Sequence, residues 1–496
     1  MARRAAVHSL GKPHRGLASG SATALNSSGQ PGTVLEESRR MRLICVPLIA
    51  LLTACGPAPQ GAVTKGSPGL ADVTNTPAAV LAFAPAQGQP PLRPNDQIAA
   101  DFLDLEFHME SGQTLPRLSR FEGPITIRLT GAVPPGASAE MSRLIARLRA
   151  EAAIDLRPAM GPTAAITVEF VQKAELQRLE PSAACFVAPN VSSLREFRSR
   201  RGTAALDWQG LVSRSRIAIF VPGDTSPQEV RDCLHEEIAQ ALGPLNDLYR
   251  LPDSVFNDDN FQSVLTGFDM LMLRLHYAPE LASGMTEAQV AARLPAVVAR
   301  LNPGGQYPGG WTSPDTPRAW IQAVNAALGP GTPKSARLPA AQRMLSIAQA
   351  QGWADNRLGF AWFALGRLQA PDDPVAAERS YTAAARIYAG LPDDGVHLSH
   401  ALMQLSAIAL ASGHPDRAIA LCDQALPLAR RGQNAALLAS LQLIKAEALA
   451  LLGHDAEAAA LRLDSLPAAR YGFGGEQAVR ARAAEIASLA ARNFGG

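Results

Sequence analysis

The sequence predicts an α/β domain in the middle of the chain and an all-α helical array in its C-terminal part. Three observations support this fold class. Short β-branched segments alternate with a helical pattern before residue 303, alanine-rich helical periodicity follows residue 317, and a Pro/Gly stretch separates the two parts. The length of 496 residues is sufficient for roughly two or three domains.

Composition and charge argue against several functions. The chain is 47% apolar and 18% charged, which is enough apolar surface for packed cores. Residues 1–40 hold six Lys/Arg and two Asp/Glu, so the remainder holds 40 basic and 42 acidic residues, a net charge of −2. Without a basic cluster, we expect no nucleic-acid partner. Five cysteines without a CxxC pair argue against a zinc finger or a thioredoxin-like redox site.

The N-terminal region has the pattern of an export signal that begins late. Residues 1–40 are polar and aperiodic, and we interpret them as a disordered extension or a wrongly assigned start, with Met41 as the true first residue. Basic residues at 39–42 precede a short apolar run over 43–54, as in a secretory signal peptide.

The end of this run, Leu52-Thr53-Ala54-Cys55, resembles the lipoprotein box of bacteria. The resemblance implies a lipoprotein signal peptide over 41–55 and a lipid on Cys55, so that the membrane is a partner through the anchor. Gly56 in place of Asp then indicates the outer membrane, with the folded part facing the periplasm of the cell envelope. The alternative is a buried cysteine in an apolar helix. Residues 56–96 contain eight prolines and predict a tether.

The predicted α/β domain covers residues 97–303. The β-branched segments 125–130, 166–171 and 217–221 predict strands, and apolar residues at helical spacing over 137–152 predict a helix between the first two.

A second helix in this domain is marked at both ends. Ser226 is the predicted N-cap, Pro227 the first helical residue, and Glu229 the second member of a capping box. Gly243-Pro244 ends the helix. Its predicted core stripe consists of Val230, Leu234, Ile238 and Leu242.

The polar residues of this helix have a spacing that resembles the metzincin zinc motif, HExxHxxGxxH. The string is Glu236-Glu237-Ile238-Ala239-Gln240-Ala241-Leu242-Gly243-Pro244-Leu245-Asn246. The resemblance places Glu236, Gln240 and Asn246 at the three metal-ligand positions. It places Glu237 at the catalytic base and Gly243 at the turn.

The resemblance continues after the helix and implies a zincin-like α/β fold. Ser254-Val255-Phe256-Asn257 resembles the Met-turn, with Phe256 in place of Met. The pattern of the final matrixin helix is matched by Asp269, Leu273, Arg274 and Tyr277.

The sequence departs from the metzincin pattern at every ligand position, because none of them is His. His235 precedes the first position by one residue, and its i+4 neighbour is Ala239. A Glu/Gln/Asn set is poor for zinc and suits a harder ion or no ion. We therefore predict no cofactor and leave a metal open.

Three interpretations of the polar helix residues remain. They are a solvated helix face, a hydrogen-bonded cleft on an inactive peptidase scaffold, or an active site with Glu237 as the base. The degenerate scaffold is favoured, because fold alone does not confer function. The acidic residues that follow, Asp247, Asp253, Asp258 and Asp259, are a calcium loop or, in the favoured interpretation, solvated turn residues.

The strings CLHEEIAQALGPLND, SVFNDDN and LTGFDML also resemble an uncharacterised bacterial family of exported proteins, with the core EExxQxxG. The resemblance covers roughly residues 100–300 and implies no activity. Cys185 and Cys233 are the two cysteines of this domain, and an exported chain meets oxidising conditions. We therefore expect them to form a disulfide.

Residues 304–316 predict a linker, and residues 317–493 predict the helical array. One repeat unit has Leu402, Ala409, Gly413 and Ala418, and the next has Ala446, Leu449, Gly453 and Ala458. The units resemble tetratricopeptide repeats, which implies a concave surface for a protein or peptide partner. A generic α-bundle is the alternative. Cys422 occupies a core position of its helix.

Together these features predict a lipid-anchored envelope protein that acts in binding or scaffolding. In this interpretation its metallopeptidase-like domain is catalytically degenerate and its helical repeats contact a partner. The alternative is an atypical hydrolase, metal-dependent or metal-free, with Glu237 as general base.

Overall fold

The computed structural model of the protein describes residues 93–309, 315–391 and 395–491, together with residues 83 and 91. The expected signal peptide, the lipidation site Cys55 and nearly all of the tether lie outside these residues. Among the residues described, no helix combines the length and the apolar character that are needed to cross a bilayer.

The first folded part is built on a five-stranded mixed sheet. Its strands are β1 (Ile125–Gly131), β2 (Leu156–Pro158), β3 (Ile166–Val171), β4 (Phe186–Pro189) and β5 (Ile217–Pro222). Their spatial order is β2-β1-β3-β5-β4, with β4 antiparallel to β5 and the other neighbours parallel. The three strands predicted from the sequence are the central ones, and the sequence analysis missed both edge strands.

Strand β5 is apolar on both faces because the sheet has a core on each side. Ile217, Ile219 and Val221 of β5 belong to the larger core. Ala218 and Phe220, which alternate with them, belong to a smaller core on the opposite face. This double burial produces the continuous apolar run that identified β5 in the sequence.

Eight helices of the described chain accompany this sheet. They are α1 (Asn95–Phe107), α2 (Ala137–Glu151), α3 (Lys173–Leu179), α4 (Leu194–Arg200), α5 (Pro227–Leu242), α6 (Gly267–His276), α7 (Glu287–Ala291) and α8 (Leu294–Leu301). Helix α2 ends one residue before its predicted boundary. Helix α1 begins at Asn95, so the last two residues of the predicted tether, 56–96, belong to the folded part.

The second folded part is helical. Its helices are α9 (Arg318–Leu328), α10 (Lys334–Ala350), α11 (Asn356–Gln369), α12 (Pro374–Tyr388), α13 (Val396–Ala411), α14 (Pro415–Arg431), α15 (Ala435–Leu451), α16 (Asp455–Phe473) and α17 (Glu476–Ala491). Small residues allow close crossings within a helix pair: a Cβ on Gly359 would lie 2.5 Å from the ring of Tyr388, and one on Gly366 would lie 3.1 Å from Tyr381. The chain is therefore an α/β part followed by a helical array, as predicted.

The two parts pack directly against each other. Thirteen of the 17 residues of α15 are buried, against five of 17 in α14, because α15 packs against α13, α14, α16 and α17. The N-terminal turn of α15 also meets the α/β part, where the N–H of Ala436 donates to Gln228 Oε1 at 2.9 Å. On the α/β side, Gln228 Nε2 donates to Asn434 Oδ1 at 3.1 Å, and Tyr471 Oη donates to Glu140 Oε1 at 2.7 Å. The α/β part thus contacts the array at the N-terminal end of α15 and at α16.

Candidate functional site

The candidate site lies on α5, which carries the metzincin-like string. Ser226 caps the helix as predicted, since its Oγ accepts the N–H of Glu229 at 3.1 Å. The Glu229 carboxylate pairs with Lys173 Nζ at 2.8 Å. The structure therefore shows the first hydrogen bond of the expected capping box. The Glu229 side chain, which was expected to provide the second, pairs instead with Lys173 at the start of α3.

The C-terminal end of α5 is held by a buried cation. Arg214 Nη1 donates to the carbonyl oxygens of Gln240 and Ala241 at 2.7 and 2.9 Å, and its Nη2 donates to that of Gly243 at 2.6 Å. Tyr277 Oη donates to Leu242 O at 2.8 Å. These donors satisfy carbonyls that have no partner within the helix, and the positive charge is favourable at the negative end of the helix dipole.

All four motif residues are buried in the structure, which excludes a solvated helix face. Glu237 is 0% exposed, and Glu236, Gln240 and Asn246 are 6–7% exposed. The solvated-face interpretation is wrong because α5 is covered on several sides, by α2, α6 and the array helix α16. A periodicity argument identifies a core stripe, but it does not reveal that the other faces of the helix are also packed.

The amide side chains at the second and third ligand positions have structural partners. Gln240 Nε2 donates to Asp247 Oδ2 at 3.1 Å. Asn246 Nδ2 donates to the carbonyl oxygen of Asp104 in α1 at 2.9 Å. With no imidazole or thiolate at any of the three positions, this donor set does not fit zinc.

His235 is held in a structural role beside the motif. Its Nδ1 accepts the backbone N–H of Leu265 at 3.2 Å, just before α6. Burial and the nearby guanidinium of Arg231 lower the pKa of His235 well below its ordinary value. The ring is therefore neutral and fixed to the segment that precedes α6.

The segment that resembles the Met-turn is tied to α6 through Asp269. The Asp269 carboxylate accepts from Ser254 Oγ at 2.6 Å and from the backbone N–H of Val255 at 3.3 Å. It also closes a capping box with Thr266. Burial raises the pKa of Asp269 to about 7. Phe256, at the place of the Met, is fully buried in the same core.

The acidic residues after α5 do not form one calcium loop. Asp253 pairs with Arg93, and Asp259 lies 2.9 Å from His397 Nε2 in the array. Asp247 and Asp258 instead lie with Glu110, and carboxylate oxygens of these three residues are within 4.8 Å of one another. Such a group can hold a hard cation. Asp247 and Asp259 are buried, so the interpretation as solvated turn residues is wrong for both.

A buried Glu–His pair lies near the end of the motif helix and was not anticipated from the sequence. Glu106 Oε1 and His276 Nδ1 are 2.7 Å apart, and both side chains are almost fully buried. Burial lowers the pKa of His276, although the carboxylate opposes this effect. A Cβ on Gly243 would lie 2.9 Å from the side chain of Leu273 and 3.7 Å from the His276 ring, so the position favours glycine.

A disulfide between Cys185 and Cys233 fixes α5 to the start of β4, across 48 residues of sequence. This is the pairing that the sequence analysis expected. Cys422 is a buried free thiol, and burial raises its pKa to about 12, which suits a packing role.

The fold and the site define an α/β domain with a buried, polar motif helix, joined to a helical array. Residues 95–296 match the model of a protein family of unknown function (DUF2927). The match begins at the first residue of α1 and ends within α8, so it coincides with the α/β part and covers less than half of the chain. A search of curated proteins found no match.

Proposed function

We propose that this chain is a lipid-anchored envelope protein that acts in binding or scaffolding. In this proposal the α/β domain is a zincin-like scaffold without peptidase activity, and the helical array is a tetratricopeptide-like interaction domain. The order strand–helix–strand, motif helix, turn and closing helix supports the zincin-like assignment. The close glycine–tyrosine crossing of α11 and α12 supports the repeat assignment.

The complete burial of Glu237 carries the proposal. A general base must lie within hydrogen-bond reach of a substrate or of its attacking water, directly or through one water. The carboxyl group at the base position is 0% exposed, and the preceding residue, Glu236, places a second carboxyl group in the buried part of the helix. The neutral amides of Gln240 and Asn246 are hydrogen-bonded within the domain. The motif helix therefore serves as a structural element.

Turnover of a peptide library by the purified chain tests the proposal. Wild type and Glu237→Gln are compared, with and without added divalent cations. We expect no cleavage above background for either protein. Cleavage by wild type that Glu237→Gln abolishes would contradict the proposal and establish the hydrolase.

One observation favours the alternative of an atypical hydrolase. The carboxylates of Glu110, Asp247 and Asp258 form a group suited to a hard cation, and Asp247 accepts a hydrogen bond from Gln240 in the motif. In this alternative Glu237 is the base and the cation supplies Lewis-acid chemistry. Calcium or magnesium would then be required for turnover. Asp258→Asn would abolish turnover, and adding either cation would not restore it.

The lipid anchor is part of the proposal and has its own test. Cys55 would carry the lipid and residues 56–94 would hold the folded parts away from the membrane. Wild type should partition into the detergent phase of a phase-separating detergent, and Cys55→Ala should remain in the aqueous phase. Equal partitioning of the two would remove the anchor.

A further inference from the structure

The inner surface of the helical array holds one phenylalanine of the α/β part in a cage of rings. Phe261 lies in the connection between α5 and α6, residues 243–266, and is 2% exposed. Its ring centroid is 4.8–6.0 Å from the centroids of five rings on α11, α12 and α13. These are Phe360, Phe363, Tyr388, His397 and His400. Aromatic rings at these separations stabilise a structure by more than the burial of their apolar area alone.

Asp259, two positions before Phe261, is bound by a polar clamp that consists of His397 and Asn356. Asp259 Oδ2 lies 2.9 Å from His397 Nε2 and 3.5 Å from Asn356 Nδ2, both on the array. Asn356 Nδ2 also donates to the backbone carbonyl oxygen of Tyr249 at 2.5 Å. Cage and clamp share His397, so they form one pocket for a carboxylate and an aromatic ring.

The bound segment is shaped by its own hydrogen bonds. Asn257 Oδ1 accepts the N–H of Asp259 at 3.0 Å, and Asp259 Oδ1 accepts the N–H of Phe261 at 3.1 Å. Asn260 adopts a left-handed conformation, with φ of 61°, and its Nδ2 donates to Asp258 O. Side-chain-to-backbone bonds of this kind stabilise short turns without the rest of a fold. The carboxylate and the ring that the pocket holds thus lie within five consecutive residues, 257–261, while Tyr249 makes a separate contact with Asn356.

We propose that the array carries a pocket for linear Asp-x-Phe segments, which the chain's own Asp259 and Phe261 fill. A protein that presents the same pair displaces residues 257–261 and occupies the clamp and the cage. This inference names the partner chemistry of the array, and so it rests on the binding function proposed above. It differs from a general protein-interaction surface because it requires the carboxylate and the ring two residues apart.

Peptide binding to the full-length chain tests the pocket. The probe is a labelled synthetic peptide of residues 254–264, and its controls carry either Asp259→Ala or Phe261→Ala. The pocket is opened in the full chain by Asp259→Ala combined with Phe261→Ala. We expect saturable binding of the probe to this variant, at least about tenfold tighter than either control peptide, and much weaker binding to wild type. Adding His397→Ala to the variant should remove the preference for Asp259.

Two results would overturn the inference. The first is a variant with a native-like circular dichroism spectrum that binds no probe, or binds probe and controls equally. If the variant does not fold, hydrogen exchange of wild type replaces it: excess probe should accelerate exchange at residues 257–261, and control peptides should not. Unchanged exchange with the probe is the second contradicting result. Neither result bears on peptide cleavage, so a failed pocket is distinguishable from a failed pseudo-enzyme.

Discussion

The side-chain amide of Asn246 donates to the carbonyl oxygen of Asp104 across 2.9 Å, at the position where the metzincin pattern has its third zinc ligand. The backbone N–H of Asn246 also reaches Leu105 O, at 3.3 Å. Both bonds connect the end of the motif segment to α1. A position used for metal binding in the pattern is therefore used for packing in this chain.

The buried guanidinium at the end of α5 should be essential for stability. Arg214→Ala removes the three hydrogen bonds to the end of α5 and leaves those backbone carbonyls without their donor, so we expect a loss of about 3 kcal/mol in the free energy of unfolding. Urea denaturation measures the loss. Arg157→Ala is the matched control, because its exposed ion pair with Asp155 should leave the midpoint unchanged. Equal effects of the two substitutions would contradict the capping role.

The raised pKa of Asp269 gives a pH dependence of stability. The group binds its proton more tightly in the folded chain, with a pKa of about 7, than in the unfolded chain, where it is 3.8. Its contribution is present below about pH 4 and is lost as the pH rises to about 7. The free energy of unfolding of wild type relative to Asp269→Asn should therefore fall across this range. Parallel curves for the two proteins between pH 4 and 7 would disprove the assignment.

The disulfide should stabilise the α/β part by constraining the unfolded chain. Closing a loop with a sequence separation of 48 is worth roughly 3–4 kcal/mol in the chain-entropy model. A reductant should lower the unfolding midpoint of wild type and of Cys422→Ala, but not that of Cys185→Ala combined with Cys233→Ala. A midpoint of wild type that is insensitive to the reductant under unfolding conditions would show that the bond does not contribute.

The contact between the two folded parts should contribute measurable stability. Tyr471→Phe removes the buried bond to Glu140 and should cost about 1–3 kcal/mol. Tyr381→Phe is the matched control in the same array, because its buried hydroxyl has no hydrogen-bond partner among the residues described. We expect this control to be neutral or stabilising. Similar losses for both variants would show that the Tyr471 bond does not hold the parts together.

Sequence analysis predicted the central strands and the motif helix because their signals are local. Strand β5 is a continuous run of apolar residues, and α5 has a cap at one end and Gly243 at the other. Edge strand β2 has three residues, of which Arg157 and Pro158 are exposed, so it carries no period to detect. Strand β4 has four residues and was hidden within a long connection.

The structural role of the motif could not be predicted because its partners are distant in sequence. Arg214 lies in an irregular segment, 26 residues before the first carbonyl that it binds. Gln228 and Arg231 bind the array more than 200 residues further on. Glu110 was missed for the same reason, since nothing in its surroundings indicates a neighbour at Asp247. The local pattern of a single sequence does not indicate which distant residues will be in contact.

The central claim is that the metzincin-like helix is structural and holds no catalytic zinc. The zinc content of the purified chain tests this claim most directly. The chain should be purified without chelators or a His-tag and its metals measured by elemental analysis, before and after dialysis against a chelator. The account predicts far less than one zinc per chain and an unfolding midpoint that chelation leaves unchanged. One zinc per chain, lost on chelation together with stability and absent from Glu236→Ala, would contradict it.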